Sequence, residues 1–349
     1  MTARAYGVES TAPIRICDNG GWTDTWVARR GKVFNIAVRP HLTVRIDTFP
    51  SGSRDAHIVL DVRNYATRYV PVLIGPSWGP HPLLEACLRE VTPPIDVDIE
   101  VTIRSDAPAG GSTGTSAATV VALIGALDRL SRRHRTAEEV ARAAHAIETV
   151  HLGRQSGVQD QLCSAHGGIN FIEITDYPHA VVSPVVVSDP IRRELQRRLC
   201  LIYLGRSHSW SAVHEKVMRD LERRGPGCRE LEALRGAAVG ARDALLAEDF
   251  AGLGSAMCAN TLAQSELSAD LIPDDARRVI EIAAAHRAIG WKVNGAGGDG
   301  GSITLLSGAD RAAQRAMLRA LREDNPAHAA IPIVISRSGL RIRDLPARD

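Results

Sequence analysis

Residues 108–123 read PAGGSTGTSAATVVAL, a loop of small residues that runs without interruption into an apolar, helix-forming stretch. Just before it, the alternating apolar positions Val97, Ile99, Val101 and Ile103 read as a strand. Strand, Gly/Ser/Thr loop, helix is the order that makes a helix N-terminus an anion site. The unpaired N–H groups of the first turn and the positive end of the dipole point at one spot. Small residues let a phosphate come close, and the hydroxyls of Thr113, Thr115 and Ser116 are available to phosphate or to Mg²⁺. Taken alone, the stretch also fits a flexible turn with a Thr or Ser helix cap.

With 349 residues the chain is long enough for two domains, each with its own core. Its 42 Lys and Arg against 40 Asp and Glu leave a net charge of +2, which gives no argument for a nucleic acid or a membrane as partner. Basic clusters such as Arg132-Arg133-His134-Arg135 read as solvated helix faces. The cysteines (Cys17, Cys87, Cys163, Cys200, Cys228, Cys258) are scattered and include no Cys-x-x-Cys pair. That fits reduced, mostly buried thiols and disfavours a disulfide framework or a zinc site. With no signal-peptide pattern and no apolar run of membrane-spanning length, the expectation is a soluble, cytoplasmic protein. A homodimer is compatible with these features.

Strand-like runs at 14–16, 33–38, 43–49 and 97–103 precede helical patterns at 115–131 and 136–149, with further strands at 169–174 and 180–187. From about residue 190 long amphipathic stretches dominate (209–223, 229–246, 274–286), with strand-like pieces at 200–204, 302–306 and 331–335. Val187-Ser188-Asp189-Pro190 marks a turn and an expected boundary, giving domains 1–190 and 191–349 that share a cleft.

Three further segments carry candidate chemistry. In QSGVQDQLCSAHGGIN (residues 155–170) Asp160 sits between two Gln residues with glycines on either side, a setting suited to holding or accepting the proton of a hydroxyl. Glu148, twelve residues earlier near a predicted helix end, offers a second carboxylate for Mg²⁺. Taken alone, Asp160 also fits a turn or cap and Glu148 a solvated helix position. KVNGAGGDGGSITLL (residues 292–306) formally contains G-x-G-x-x-G, but its glycines lead into a strand rather than opening a helix. A turn that brings backbone close to a ligand or another loop fits better than a dinucleotide site. In RICDNGGWTDT, which starts at Arg15, a Gly20-Gly21 turn presents Trp22, Thr23 and Asp24, an aromatic beside a hydroxyl and a carboxylate as sugar sites use.

Together, and in this order, these segments resemble the GHMP small-molecule kinases over nearly the whole chain. Residues 12–24 look like the sugar-binding opening of galactokinase-type members, 108–118 like the phosphate loop P-x-x-x-G-L-[GS]-S-S-A, and 292–301 like the C-terminal K-x-x-G-A-G-G-G-G turn. Gly20–Asp24 and the segment around Asp160 are most similar to the bacterial heptose 7-phosphate kinases and to L-fucokinase, whereas galactokinase carries Glu-His in place of Gly21-Trp22.

The resemblance implies an α+β, two-domain fold: a ribosomal-protein-like N-terminal domain and a ferredoxin-like C-terminal α/β sandwich. It implies ATP- and Mg²⁺-dependent phosphorylation of a sugar or sugar phosphate, at the anomeric hydroxyl. Asp160 falls on the family's catalytic Asp, and Arg15 on the Arg near the transferred group. Glu148 and Ser116 fall on the Mg²⁺ ligands. Gly110, Gly111, Ser112, Thr113, Gly114, Thr115 and Ser116 form the phosphate loop. Gly21, Trp22, Thr23 and Asp24 are expected at the sugar, with Gly297 and Gly298 of the last motif nearby. Arg206 and His208 are expected on the far wall, for a substrate phosphate or a run of hydroxyls. Two departures stand out: Ser112-Thr113 replaces the usual Gly-Leu, and Asp299 replaces a glycine. A non-sugar alcohol as acceptor, or a non-catalytic ligand-binding regulator of the same fold, are the alternatives.

Overall fold

The structure, a computed structural model, describes residues 6–206, 212–298 and 300–346. It opens with two long antiparallel strands, β1 (Tyr6–Asn19) and β2 (Gly31–Pro50). The sequence predicts two strands where β2 is one. Between them lies Arg39-Pro40, and the β1 partners jump from Pro13↔His41 to Ile14↔Val38, so these residues sit at a bulge where the missing N–H of Pro40 is tolerated. Then come β3 (Ile58–Val62), β4 (Thr67–Tyr69), α1 (Pro82–Glu90) and β5 (Val97–Ser105). They lead to α2 (Thr115–Leu130), α3 (Ala137–Ala146), α4 (Gln159–His166), β6 (Ile169–Asp176) and β7 (His179–Pro184).

The second half runs α5 (Asp189–Arg198), β8 (Leu199–Tyr203), α6 (Ala212–Arg224), α7 (Arg229–Leu246) and α8 (Phe250–Leu267). It ends with α9 (Asp274–Ala285), β9 (Ala288–Val293), β10 (Ser302–Ser307), α10 (Arg311–Asp324), β11 (Ala329–Ile331), β12 (Val334–Ile335) and β13 (Arg341–Pro346).

Among the described residues the strands fall into a nine-stranded sheet, with a main path β13-β1-β2-β5-β3-β4, and a four-stranded antiparallel sheet β11-β8-β10-β9. β2 organises the first: its later half pairs with β5 and its earlier half with β6. Val33, Phe34, Ile36, Val44 and Ile46 of β2 are fully buried, and α2 packs its largely buried apolar surface against β1 and β2. This burial fixes where the N-terminus of α2 points.

The chain does not divide cleanly at residue 190. After the second sheet, β12 pairs with β2 and β13 pairs with β1 from Tyr6↔Pro346 to Thr11↔Arg341, so the last strands belong to the first sheet. α7 also buries Ala238, Ala241 and Leu245 in the same core as β1 and β2. The described chain is α+β throughout.

Candidate active site

The C-terminal end of β1, the start of α2, the start of α4 and the turn after β9 surround a cavity of about 250 Å³. Arg15 and Asp18 reach it from β1. The loop 110–114 reaches it with a conformation that its glycines permit: Gly110 and Gly114 have φ of +66° and +71°, and Ser112 joins them at +54°. Gly114 starts α2, and no side chain caps that end, so the first amides of the helix remain free for an anion. A Cβ on Gly114 would lie 3.2 Å from Asp160 Cγ, so the anion site and the carboxylate are in contact.

Asp160 stands in the first turn of α4 and takes a forked ion pair from Arg15: Nε to Oδ1 at 2.7 Å and Nη2 to Oδ2 at 3.3 Å. The Arg15 guanidinium is buried and also donates from Nη1 to the carbonyl of Ser112, and its own N–H reaches the carbonyl of Thr113 at 2.9 Å. Burial is the largest influence on its charge and opposes it, but the charges of Asp160 and Asp18 outweigh burial and raise its pKa. Glu148 projects from a wide helical turn, Ile147–His151, that continues α3. Burial raises its pKa, the Ser156 side chain opposes that shift and the charge of Asp160 adds to it.

Asp24 is buried, and burial pushes its carboxyl up to about 6, the N–H of Gln159 opposing at 3.1 Å from Oδ2. Gly157 is required beside it, since a Cβ there would fall 2.0 Å from Asp24 Oδ2. Trp22 stacks on His214 of α6 with ring centroids 5.1 Å apart. Among the described residues Trp22 Nε1, Gln159 Oε1 and Ser112 Oγ are buried at the cavity wall without a hydrogen-bond partner. Orphaned donors and acceptors of this kind suit a ligand rich in hydroxyls or phosphate oxygens.

Of the residues expected from the sequence, the structure brings together Arg15, Gly21, Trp22, Asp24, Gly110, Gly111, Ser112, Thr113, Gly114, Thr115, Ser116, Glu148 and Asp160. It does not bring Thr23, Arg206, Gly297 or Gly298 to the cavity wall. The Thr23 hydroxyl donates to the carbonyl of Gly20 at 2.7 Å and accepts the N–H of Lys32 at 3.1 Å, so it holds the turn. The Arg206 side chain pairs with Asp275 in an exposed position, while its carbonyl accepts the N–H of Gly301. Gly297 and Gly298 pack on the carbonyl of Leu271, leaving Gly295 and Ala296 as the part of that turn that lines the cavity. His208 and Asp299 lie outside the described residues.

The cavity wall also holds Asp18, Gln159 and His214, for which the sequence alone suggests no role, and Lys292 lies behind it. Lys292 is buried, with Nζ 3.2 Å from Gln264 Oε1 and 3.5 Å from Asp18 Oδ1. The signal for Asp18 is an acid placed three residues after Arg15, at the end of the apolar run Ala12–Cys17 that Arg15 alone interrupts.

Ser116 and Glu148 supply one hydroxyl and one carboxylate, and the described residues contain no cluster of three or more His, Cys, Asp or Glu able to hold a metal. Such a sparse oxygen set fits Mg²⁺, which keeps waters and phosphate oxygens as its other ligands. Among the described residues no helix is long and apolar enough to cross a membrane.

A family profile described as GHMP kinases N terminal domain matches residues 82–168. The chain is 26% identical over 220 residues to the D-glycero-alpha-D-manno-heptose 7-phosphate kinase of Campylobacter jejuni, covering 63% of this chain and 64% of that one. It is 26% identical over 319 residues to the bifunctional fucokinase/GDP-fucose pyrophosphorylase of Arabidopsis thaliana, covering 86% of this chain but 30% of that one. The mevalonate kinase of Thermococcus sibiricus is 30% identical over 260 residues, 71% of this chain and 70% of the relative. In fold, the crystal structure of a D-glycero-D-manno-heptose 1-phosphate kinase from Bacteroides thetaiotaomicron superposes with a TM-score of 0.73 at 20% identity, over 96% of this chain and 98% of that one. The match of residues 82–168 to the family profile, with a mevalonate kinase relative 30% identical and covered over 70% of its length, shows that the chain belongs to the GHMP kinase family.

Proposed function

We propose that the protein transfers the γ-phosphoryl group of ATP to a hydroxyl of a sugar or sugar phosphate, the anomeric one. The observation that carries this reading is the Arg15–Asp160 pair standing directly beside the uncapped N-terminus of α2. Phosphoryl transfer asks the protein mainly for positioning and charge compensation, and the site is equipped for both.

The free amides of α2 and the loop 110–114 hold the phosphates. Asp160 accepts or orients the attacking hydroxyl, whose anomeric character lowers the demand on the base. Arg15 stays clamped to Asp160 and to the loop carbonyls and offsets charge on the transferred group. Asp24, Gln159 and Trp22 offer the remaining acceptors and donor to ring hydroxyls. Mg²⁺, held by Ser116 and Glu148, would supply charge neutralisation on the phosphate oxygens.

A coupled ADP-release assay with Mg-ATP tests this across L-fucose, D-mannose, D-galactose, heptoses and heptose 7-phosphate, with the new phosphate located by ³¹P NMR. A sugar 1-phosphate is the expected product. The mevalonate kinase relative favours a second reading, a non-sugar alcohol as acceptor, so mevalonate belongs in the panel. Turnover of it with none on sugars would replace the first reading.

A further inference from the structure

We infer that Asp18 is a positioning residue: its carboxylate ties the turn after β9 to Arg15 and so holds Arg15 between the phosphate loop and Asp160. This rests on the kinase reading above for its catalytic consequence, not for its geometry.

Asp18 is fully buried. The N–H of Gly295 donates to it, 3.0 Å from Oδ2 and 3.2 Å from Oδ1. Oδ1 also lies 3.9 Å from Arg15 Nη1 and 3.5 Å from Lys292 Nζ. One carboxylate therefore touches the catalytic arginine, a buried lysine of the second sheet and the backbone of the glycine turn. The turn in its place is tight against the loop, since a Cβ on Gly295 would meet the Ser112 carbonyl at 3.0 Å and Arg15 Nη2 at 3.2 Å. Ser302, where the turn ends, donates its hydroxyl to the carbonyl of Gly111. The links form a closed circuit: Asp18 to the turn, the turn to the phosphate loop, the loop to Arg15, and Arg15 back to Asp18.

Charge makes the circuit strict. Arg15 and Lys292 are two buried basic groups, and Asp18 and Asp160 are the two carboxylates that face them; burial and then the charge of Arg15 lower the pKa of Lys292, and the charge of Asp18 works against that shift. An unpaired charge in such a place is strongly unfavourable. Asp160 is the carboxylate that must meet the substrate, so Asp18 is the one that can stay fixed and carry the pairing. Without it, Arg15 is drawn to Asp160 alone and the turn loses its anchor. Substrates still bind, but the transferred group and the base are no longer held in register.

Two variants separate positioning from simple charge balance. Asp18→Asn keeps the shape but replaces the charged acceptor of the Gly295 N–H by a weaker, neutral one with a single acceptor oxygen. The double variant Asp18→Asn/Lys292→Met removes the facing basic group as well and protects against a variant that merely fails to fold. The expected result is a kcat lowered about 100-fold in both variants, with KM for ATP and acceptor within about twofold of wild type. Amide hydrogen exchange across residues 293–298 should be faster in both. A double variant that regains wild-type kcat would show that Asp18 only balances Lys292, and it overturns the inference. So does unchanged exchange in Asp18→Asn. Should wild type release no ADP with any acceptor, the kinase reading fails on its own, and the exchange comparison still decides whether Asp18 holds the turn.

Discussion

Arg15 on β1 and Asp160 on α4, 145 residues apart in sequence, meet in a forked ion pair with the shorter contact at 2.7 Å. The pair is possible because α4 is fastened to β1: Ser164 donates its hydroxyl to the carbonyl of Pro13 at 2.9 Å. The fork fixes both groups in orientation as well as distance, which a lysine in place of Arg15 could not do.

Asp160→Asn keeps the shape of the side chain but removes the proton acceptor. Turnover should fall by about two orders of magnitude or more, while nucleotide affinity changes little. Steady-state kinetics with a separate nucleotide titration checks this. Near-normal turnover would remove Asp160 from the chemistry.

Glu148→Gln should act through the metal. Burial raises the pKa of this carboxyl in the free protein, and a bound dication would oppose that shift. The midpoint of activation by Mg²⁺ should move to higher concentration, by about tenfold or more. A Mg²⁺ titration at saturating ATP and acceptor reads this, and an unmoved midpoint places the metal elsewhere.

Asp24 gives a pH signature in the free protein. Its folded pKa is raised to about 6, so the fold binds this proton more tightly than the unfolded chain does. The contribution to stability is present in full below the unfolded aspartate pKa and is lost as pH rises through the folded value, between about pH 4 and pH 6. Asp24→Asn removes that loss. Its unfolding free energy relative to wild type should improve from pH 4 to pH 7, by something on the order of 3 kcal/mol. Urea unfolding at the two pH values tests the sign. A constant difference would mean that Asp24 ionises in the fold as readily as in the unfolded chain.

The parts of the site that could be read from sequence were those written in contiguous residues. The phosphate loop is legible because strand, small-residue loop and apolar helix follow one another directly. Trp22 and Asp24 are legible because the Gly20-Gly21 turn sets them off. Asp18 was passed over because its partners, Lys292 and Gly295, arrive from the other end of the chain. α4 was not recognised as a helix, being short, polar and bounded by glycines. The apolar pattern of α8 is blurred instead: the face it buries carries Gly254, Asn260, Thr261 and Gln264 beside its apolar residues, while Leu262 is exposed on the other face. β13 could not be seen as a partner of β1, since its residues RIRDLP are mostly exposed and show no apolar alternation.

That last strand leads to a test of how the C-terminal residues support the site. Before β13 the chain runs against α4, where the N–H of Leu340 donates to the carbonyl of Ala165 at 3.1 Å. Gly339 lies so close that a Cβ would fall 2.1 Å from the same carbonyl oxygen, and a Cβ on Gly167 would fall 2.1 Å from the Gly339 nitrogen. The atoms that the new Cβ would meet are backbone atoms of Ala165 and His166, with nothing flexible to yield, so Gly339→Ala must push the strap off α4 or shift the helix. Overpacking of this kind costs about 1–3 kcal/mol. The urea midpoint should therefore drop at unchanged slope. Because α4 carries Asp160, kcat should fall in the part of the protein that remains folded. A lowered midpoint with full kcat would mean that the strap stabilises the first sheet without orienting the Arg15–Asp160 pair.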